Sequence, residues 1–463
     1  MKAKFLQKCE KVAKKWSKMD NKSEFKINNT KIAFLTLGCK VNSYETEAMQ
    51  ALLAKAGAEI VEFHQMADIY VVNTCSVTNM ADRKSRQMLH RAKKRNPEAL
   101  VVAAGCYAQT ADETAMKETG IDVVIGNNQK KEIVEILCRH MQGIENKRLE
   151  IGKETEYEDM SLATQVEHTR AYVKIQDGCN QFCSYCIIPY ARGRIRSRKE
   201  EEVLSEVQKL AGAGYKEVVL TGIHLSSYGM PAEDGKQPLL ELICKLNRIE
   251  GIERIRLGSL EPRIITEDFV KTLCECKKVC PHFHLSLQSG SDTVLARMNR
   301  KYTTAQYAES VEILKRYYEH PAITTDIIVG FPQETEEEFE ETMEFAKRIG
   351  FSKVHVFKYS RRKGTVADKM SGQVAEEIKN MRSEKLIALE ESLGEAYRSF
   401  FYGKEQKVLF EESNVISGRE CQVGYTERYV RVAVECKKDM SNRIETVFMA
   451  EEAGQETVWA KIQ

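Results

Sequence analysis

From residue 31 onward, short apolar runs alternate with longer stretches whose apolar residues recur every three or four positions. That alternation predicts strand-helix-strand units feeding a parallel sheet. Residues 31–37 (KIAFLTL) read as a first strand and residues 42–56 as a helix closed by Gly57, with further strands at 69–73, 100–104 and 122–125. The first three runs each end in a cysteine: Gly38-Cys39, Thr74-Cys75 and Gly105-Cys106. Functional groups in open parallel sheets gather at the carboxyl ends of the strands, so these three thiols are expected to converge on one site.

Residues 152–168 are polar and acidic with no sustained apolar period, which predicts a domain boundary. Beyond it strands are expected at 171–176, 217–220, 254–257, 282–287, 322–329 and 353–359, with helices between them. Six such units suggest an incomplete TIM-like barrel with its active site at the C-terminal strand ends. A helix over 374 to about 400 closes this part. Four shorter strands at 406–410, 429–434, 445–449 and 457–462 then predict a small all-β barrel. The expected fold class is thus α/β: an open parallel domain over 30–145, a partial barrel over 165–398 and an all-β barrel over 401–463. Residues 1–29 form a basic extension with nine Lys against three acids, and Phe5, Leu6, Val12, Trp16 and Met19 share a rough helical face. It reads as a solvated leader helix, or as a contact for RNA or a partner.

Seventy Lys and Arg against 68 Asp and Glu give a net charge of +2 over 463 residues, so attraction to nucleic acid must come from local patches. The longest apolar runs, 100–108 and 121–125, fall far short of the roughly 18 residues of a membrane span. Fourteen cysteines are too few for a disulfide scaffold, so a reducing, cytoplasmic setting is expected. There, clustered cysteines point to metal binding or catalysis.

The sharpest cluster is Cys179-Asn-Gln-Phe-Cys183-Ser-Tyr-Cys186, directly after the strand AYVKIQDG. Three thiolates on one loop can ligate three irons of a four-iron cluster and leave the fourth open to a small molecule. A zinc knuckle completed by a distant residue is the structural alternative. Cys274, Cys276 and Cys280 have as many thiols, but they lie on a predicted helix and the loop after it, and are expected to be no ligand set.

In these motifs the chain resembles the radical S-adenosylmethionine superfamily and, within it, the methylthiotransferases. The resemblance covers about residues 30–463 and is carried by TLGCKVNSYETEAM, NTC, AGCYAQ, KIQDGCNQFCSYCIIPYARGRIRSR, LSLQSGSDTVLARMNRKYT and DIIVGFPQET. It implies that the C-terminal barrel is of the type called TRAM. It also implies two four-iron, four-sulfur clusters, one on Cys179, Cys183 and Cys186 that binds S-adenosylmethionine, the other on Cys39, Cys75 and Cys106. The first would yield a 5′-deoxyadenosyl radical and the second would supply sulfur, converting C–H to C–S–CH3 without an ordinary acid, base or nucleophile. No catalytic side chain is therefore nominated. Gly222, Gln288 and Asp326 fall where such a barrel meets its cofactor, although each also suits packing or a turn.

Within the family, CKVN followed by YETE at Cys39 to Glu47 resembles the enzymes acting on threonylcarbamoyladenosine of tRNA. The others act on isopentenyladenosine of tRNA or on a ribosomal protein aspartate. A tRNA anticodon loop is the expected partner, with an electron donor of flavodoxin or ferredoxin type, and neither DNA nor membrane. Arg192, Arg194, Arg196 and Arg198, with Lys199, follow the radical loop and are candidates for substrate contact or for closing the barrel. Arg83, Lys84, Arg86, Arg91, Lys93, Lys94 and Arg95 make a second basic segment on a predicted helix, which a solvated surface also explains. From Phe401 onward nine Lys or Arg face eleven Asp or Glu, so RNA contact there would need a restricted face such as Arg428 and Arg431 beside Tyr425 and Tyr429. A noncatalytic, zinc-containing RNA-binding protein is the alternative from another class.

Overall fold

The computed structural model describes residues 27–463 except 113–115, 117–118, 147, 149–150, 152–155, 161–168, 233–234, 455 and 463. The expected apolar face of the N-terminal extension lies outside the described residues. The chain divides into two compact units, residues 1–162 with 187–194, and residues 163–186 with 195–463. The division falls within the polar stretch at 152–168. The return of 187–194 to the first unit is not legible in local sequence.

The first unit is built on five parallel strands in the order β2-β1-β3-β4-β5. They are β1 (Lys31–Thr36), β2 (Glu59–Val61), β3 (Ile69–Thr74), β4 (Leu100–Ala104) and β5 (Val123–Ile125). Side chains alternate between two cores: Ile32, Phe34, Val71 and Val102 on one face, Ala33, Tyr70, Val72 and Val101 on the other. Central β3 is buried at all six positions, as a strand covered on both faces must be. Helices α1 (Lys40–Lys55), α2 (Asn79–Arg95), α3 (Gly105–Thr110) and α4 (Ile133–Met141) accompany the sheet. Edge strand β2 escapes a reading by sequence because three residues carry no periodicity.

The second unit contains six parallel strands in two sheets, β10-β9-β6 and β11-β12-β13. These are β6 (Ala171–Lys174), β9 (Glu217–Thr221), β10 (Arg254–Leu257), β11 (His282–His284), β12 (Ala322–Val329) and β13 (Lys353–Lys358). A bridge between Leu260 and Leu285 links the two sheets. The short pair β7 (Gln176–Asp177) and β8 (Arg196–Ser197) brackets the radical loop in sequence. Strand four pairs regularly only over His282–His284; its predicted continuation to 287 survives as an isolated bridge at Leu285, and a further bridge lies just beyond it at Gln288. One apolar core joins Val173, Leu220, Ile255, Phe283, Ile323 and Ile327 to the surrounding helices.

The C-terminal strands close into a barrel in the order β14-β15-β16-β18-β17. They are β14 (Glu405–Ile416), β15 (Arg419–Thr426), β16 (Arg431–Glu435), β17 (Ile444–Gly454) and β18 (Thr457–Ile462). Five strands replace the four expected. The additional strand, β15, is hidden in the sequence because Gly424 interrupts its pattern, and a Cβ there would collide with the Leu409 carbonyl oxygen of β14.

Candidate metal centres and their surroundings

Cys39, Cys75 and Cys106 follow β1, β3 and β4, three neighbouring strands, so each thiol leaves the sheet at the same carboxyl edge. Two glycines permit the approach. Gly38 has φ +103°, and a Cβ on it would lie 2.9 Å from both Cβ and Sγ of Cys75. Gly105 has φ +89°, and its Cβ would meet Asn73 Oδ1 at 2.5 Å and the Thr74 carbonyl oxygen at 2.6 Å. Burial pushes the Cys75 thiol up to about 11, and the neighbouring Cys106 and Cys39 add to the shift. Ligation must displace that proton, as an iron site requires of its thiols.

A polar scaffold that sequence reasoning missed stands behind these thiols. Asn42 donates to the carbonyls of Leu37 at 2.7 Å and Thr74 at 3.0 Å, while Asn73 donates to the Asn42 carbonyl at 2.9 Å. Asn127 Nδ2 lies 3.7 Å from Cys106 Sγ and donates to the Ala191 carbonyl at 2.7 Å. Beneath them Glu45, fully buried on α1, accepts from Arg192 Nη1 at 2.8 Å and from Lys130 Nζ. Arg192 also donates to Asn42 Oδ1 at 2.7 Å. The available signal was the helix α1 itself, whose buried positions include Asn42, Glu45, Thr46 and Glu47 in place of apolar residues.

In the second unit Cys179, Cys183 and Cys186 occupy the loop after β6 and β7, all partly exposed. Gly178 takes φ +72°, and Asp177 Oδ1 receives its amide at 2.8 Å while Lys174 pairs with Asp177 at 2.6 Å. Phe182 sits at φ +48°, and its carbonyl accepts from Asn299 at 2.9 Å. Ser184 is tied to the carbonyls of Met298 at 3.0 Å and Arg297 at 2.8 Å. Arg300 Nη1 donates to Cys183 Sγ at 3.2 Å, a cation beside a thiol that must ionise. Burial raises the Cys179 thiol to about 11, against the hydrogen bond from the Gln181 amide. Both thiol sets fit iron-sulfur ligation: three sulfurs each, supported by hydrogen bonds and placed at strand ends.

Cys276 instead lies 3.4 Å from Cys244, and Cys280 is buried near Arg256 and Glu217, so the segment 274–280 offers no thiol trio. Gly222 is a packing position, since a Cβ would lie 3.0 Å from Gln176. Gln288 has φ +75° and is buried, with its amide bonded to the Asp326 carbonyl at 2.9 Å.

The structure bears on two expectations about RNA contacts. Of the arginine run, Arg192 is bound to Glu45, Arg198 pairs with Glu206 at 2.6 Å and Arg196 faces Asp177 at 3.8 Å, all three buried. A buried guanidinium held by a carboxylate is out of reach of phosphate, so of the four only Arg194 presents an exposed cation. The face around Tyr425 and Tyr429 is partly exposed, and its side chains are engaged within the protein. These rings stack at 4.7 Å with Arg170 over both and Arg256 over Tyr429, each at 4.9 Å. Arg428 donates to the carbonyls of His320 and Glu319, and Arg431 to Thr457 at 2.8 Å. On α2, by contrast, Arg83, Lys84, Arg91 and Lys94 are at least partly exposed, whereas Lys93 pairs with Asp122 and Arg95 with the Phe63 carbonyl.

The Radical SAM superfamily model matches residues 173–346, and the model described as uncharacterized protein family UPF0004 matches residues 31–126. The threonylcarbamoyladenosine tRNA methylthiotransferase of Bacillus subtilis (strain 168) is 44% identical, covering 89% of this chain and 92% of its own. That of Aquifex aeolicus is 41% identical over 89% and 99%. A tRNA-2-methylthio-N(6)-dimethylallyladenosine synthase of Finegoldia magna is 35% identical over 89% and 90%. Among solved structures, the radical S-adenosylmethionine methyltransferase TsrM of Kitasatospora setae shares the fold at TM-score 0.55 and 14% identity, covering 71% of this chain and 73% of that one. With its thiol trios and both domain matches in place, the chain belongs to the tRNA methylthiotransferases of the radical S-adenosylmethionine superfamily.

Proposed function

We propose that this chain methylthiolates C2 of N6-threonylcarbamoyladenosine at position 37 of tRNA. The observation that carries the reading is a pair of three-thiol sets at parallel strand ends, one in each unit, in a chain 44% identical to an enzyme named for that substrate. When bound, two four-iron clusters and S-adenosylmethionine supply the one-electron chemistry, the sulfur and the methyl group. Cys179, Cys183 and Cys186 hold the first cluster, and Arg300 stabilises negative charge on Cys183. Cys39, Cys75 and Cys106 hold the second, with Asn127 beside Cys106. Neither trio supplies a fourth thiol, which leaves one iron of each cluster for an exogenous ligand.

An anticodon loop presents its bases unpaired, so the target needs no duplex opening. The exposed cations of α2 and Arg194 are the surfaces suited to its phosphates, whereas the C-terminal barrel, of TRAM type, carries a net negative charge. A flavodoxin- or ferredoxin-class donor supplies the electrons, in the cytoplasm where tRNA is modified. Among the described residues no helix is long and apolar enough to cross a membrane.

Nucleoside mass spectrometry of tRNA from a strain lacking this gene, with and without the gene restored, tests the reading. A gain of methylthio on threonylcarbamoyladenosine is the expected outcome. A gain on isopentenyladenosine keeps the chemistry and overturns the substrate. Zinc without iron in anaerobically isolated protein overturns the enzyme in favour of a noncatalytic RNA-binding protein.

A further inference from the structure

Two cysteines of the second unit that belong to neither thiol trio meet between helices. Cys244 lies on the helix Pro238–Leu246 and is partly exposed, whereas Cys276 follows the helix Glu267–Glu275 and is buried. Cys276 Sγ donates to Cys244 Sγ at 3.4 Å. Hydrogen bonds that involve neither thiol hold the two segments together: the Lys278 amide donates to Asn247 Oδ1 at 3.0 Å and Lys278 Nζ to the Ile249 carbonyl at 2.6 Å. Val279 bridges to Ile255 near the start of β10, and Cys276 precedes β11. The pair therefore sits toward the N-terminal ends of the strands, whereas the radical loop follows the C-terminal ends of β6 and β7.

We infer that Cys244 and Cys276 form a reversible dithiol–disulfide pair, oxidised by low-molecular-weight disulfides of the glutathione class, that joins the two helices covalently. Cys244 gives its proton to water and its sulfur attacks the small disulfide, RSSR, whose S–S bond breaks and releases one RS⁻. Cys276 then gives up its proton and attacks the Cys244 sulfur, which expels the second RS⁻. Both released thiolates take up protons, so the protein loses two electrons and two protons while RSSR becomes two RSH. Exposure sets this order. RSSR can reach Cys244, whereas burial pushes the Cys276 thiol up to about 12, the hydrogen bond to Cys244 and the Glu275 charge adding to the shift and Arg248 opposing it. A thiol so placed acts once the mixed disulfide stands beside it, not on a reagent from solvent. Rotation about the side-chain torsions brings the sulfurs to the bond length of about 2.05 Å. In a reducing compartment the pair rests as a dithiol and the bond is transient.

The test uses anaerobic protein with both clusters loaded, incubated with oxidised glutathione, quenched with acid and an alkylating reagent, digested with trypsin and mapped by mass spectrometry. Iron is counted before the quench. The expected product links the tryptic peptides 237–245 and 272–277 through Cys244 and Cys276. It forms at least about tenfold faster than glutathione adducts at buried Cys280, and dithiothreitol reverses it with iron unchanged. Cys276→Ser stops at the mixed disulfide on Cys244, and Cys244→Ser forms no link. Cys274 shares the second peptide, so Cys274→Ser, which keeps the link, identifies the partner as Cys276. Because Cys244 is partly exposed, its variant remains informative if the change at buried Cys276 disturbs folding. Both thiols still alkylated after prolonged exposure, a bond between Cys274 and Cys276 in place of the expected one, or a link that survives in Cys276→Ser overturns the proposal. None of these outcomes bears on the tRNA substrate, which the nucleoside measurement decides.

Discussion

Single residues decide whether the thiols can meet. Gly38 combines a left-handed backbone with a Cβ direction that points into Cys75. Gly38→Ala is therefore expected to lower the iron content of reconstituted protein by about half, through loss of the Cys39, Cys75 and Cys106 cluster alone. Iron analysis checks this, and full occupancy would remove Gly38 from the centre's support. Arg192 makes the complementary case. Arg192→Ala withdraws one cation from fully buried Glu45, and should destabilise the metal-free protein by about 3 kcal/mol, the low end for a broken buried pair because Lys130 still faces Glu45. Denaturant unfolding reads that loss. An RNA-contact role would instead leave stability unchanged and weaken only tRNA binding.

At the scale of elements, α2 is the part best built to meet nucleic acid. Thr78 Oγ1 caps its first turn by accepting from the Ala81 amide at 3.1 Å, and the helix starts at Asn79, shortly after Cys75. Its buried side carries Ser85, Leu89 and Ala92, which turns Arg83, Lys84, Arg91 and Lys94 outward. Replacing these four with Gln should weaken tRNA binding uniformly across sequences. For every phosphate that the variant no longer neutralises, the slope of log affinity against log salt should become shallower by about 0.7–0.9. Binding measured between low and moderate salt checks this, and an unchanged slope would return α2 to being a solvated face. Three of the four arginines after the radical loop show the opposite outcome for a similar sequence, because carboxylates from other elements hold them in buried pairs.

For the whole molecule, separation of the two thiol sets into two compact units has a measurable consequence. Cys183→Ala should abolish reductive cleavage of S-adenosylmethionine while the second centre keeps its iron. Cys106→Ala should leave some cleavage and stop methylthio transfer. Assays of 5′-deoxyadenosine, modified nucleoside and iron together distinguish the two. Retained 5′-deoxyadenosine in Cys183→Ala, or normal product in Cys106→Ala, would break the assignment. Within the second unit the C-terminal barrel is fastened by arginines of β10. Arg254 donates to the Tyr425 and Lys407 carbonyls at 3.0 and 2.8 Å, and Arg256 to that of Glu427 at 2.8 Å while pairing with buried Glu217 at 2.7 Å. Tyr425 and Tyr429 thereby join two parts of one unit.

The layered α/β class and the closing β-barrel were legible in the chain, because periodicity is a local property, and the positions of the six cysteines just after predicted strands were read in the same way. Short or irregular elements were not: β2 is too brief, β15 is broken by Gly424, and β11 gives way to single bridges. The fate of each charge was decided only by tertiary structure. Arg192 meets Glu45 across 147 positions, Arg256 meets the Glu427 carbonyl across 171, and His284 meets Thr324 across 40. No sequence window contains both partners of such a pair. Desolvation, which separates a structural guanidinium from an RNA-binding one, exists only once distant segments have packed together.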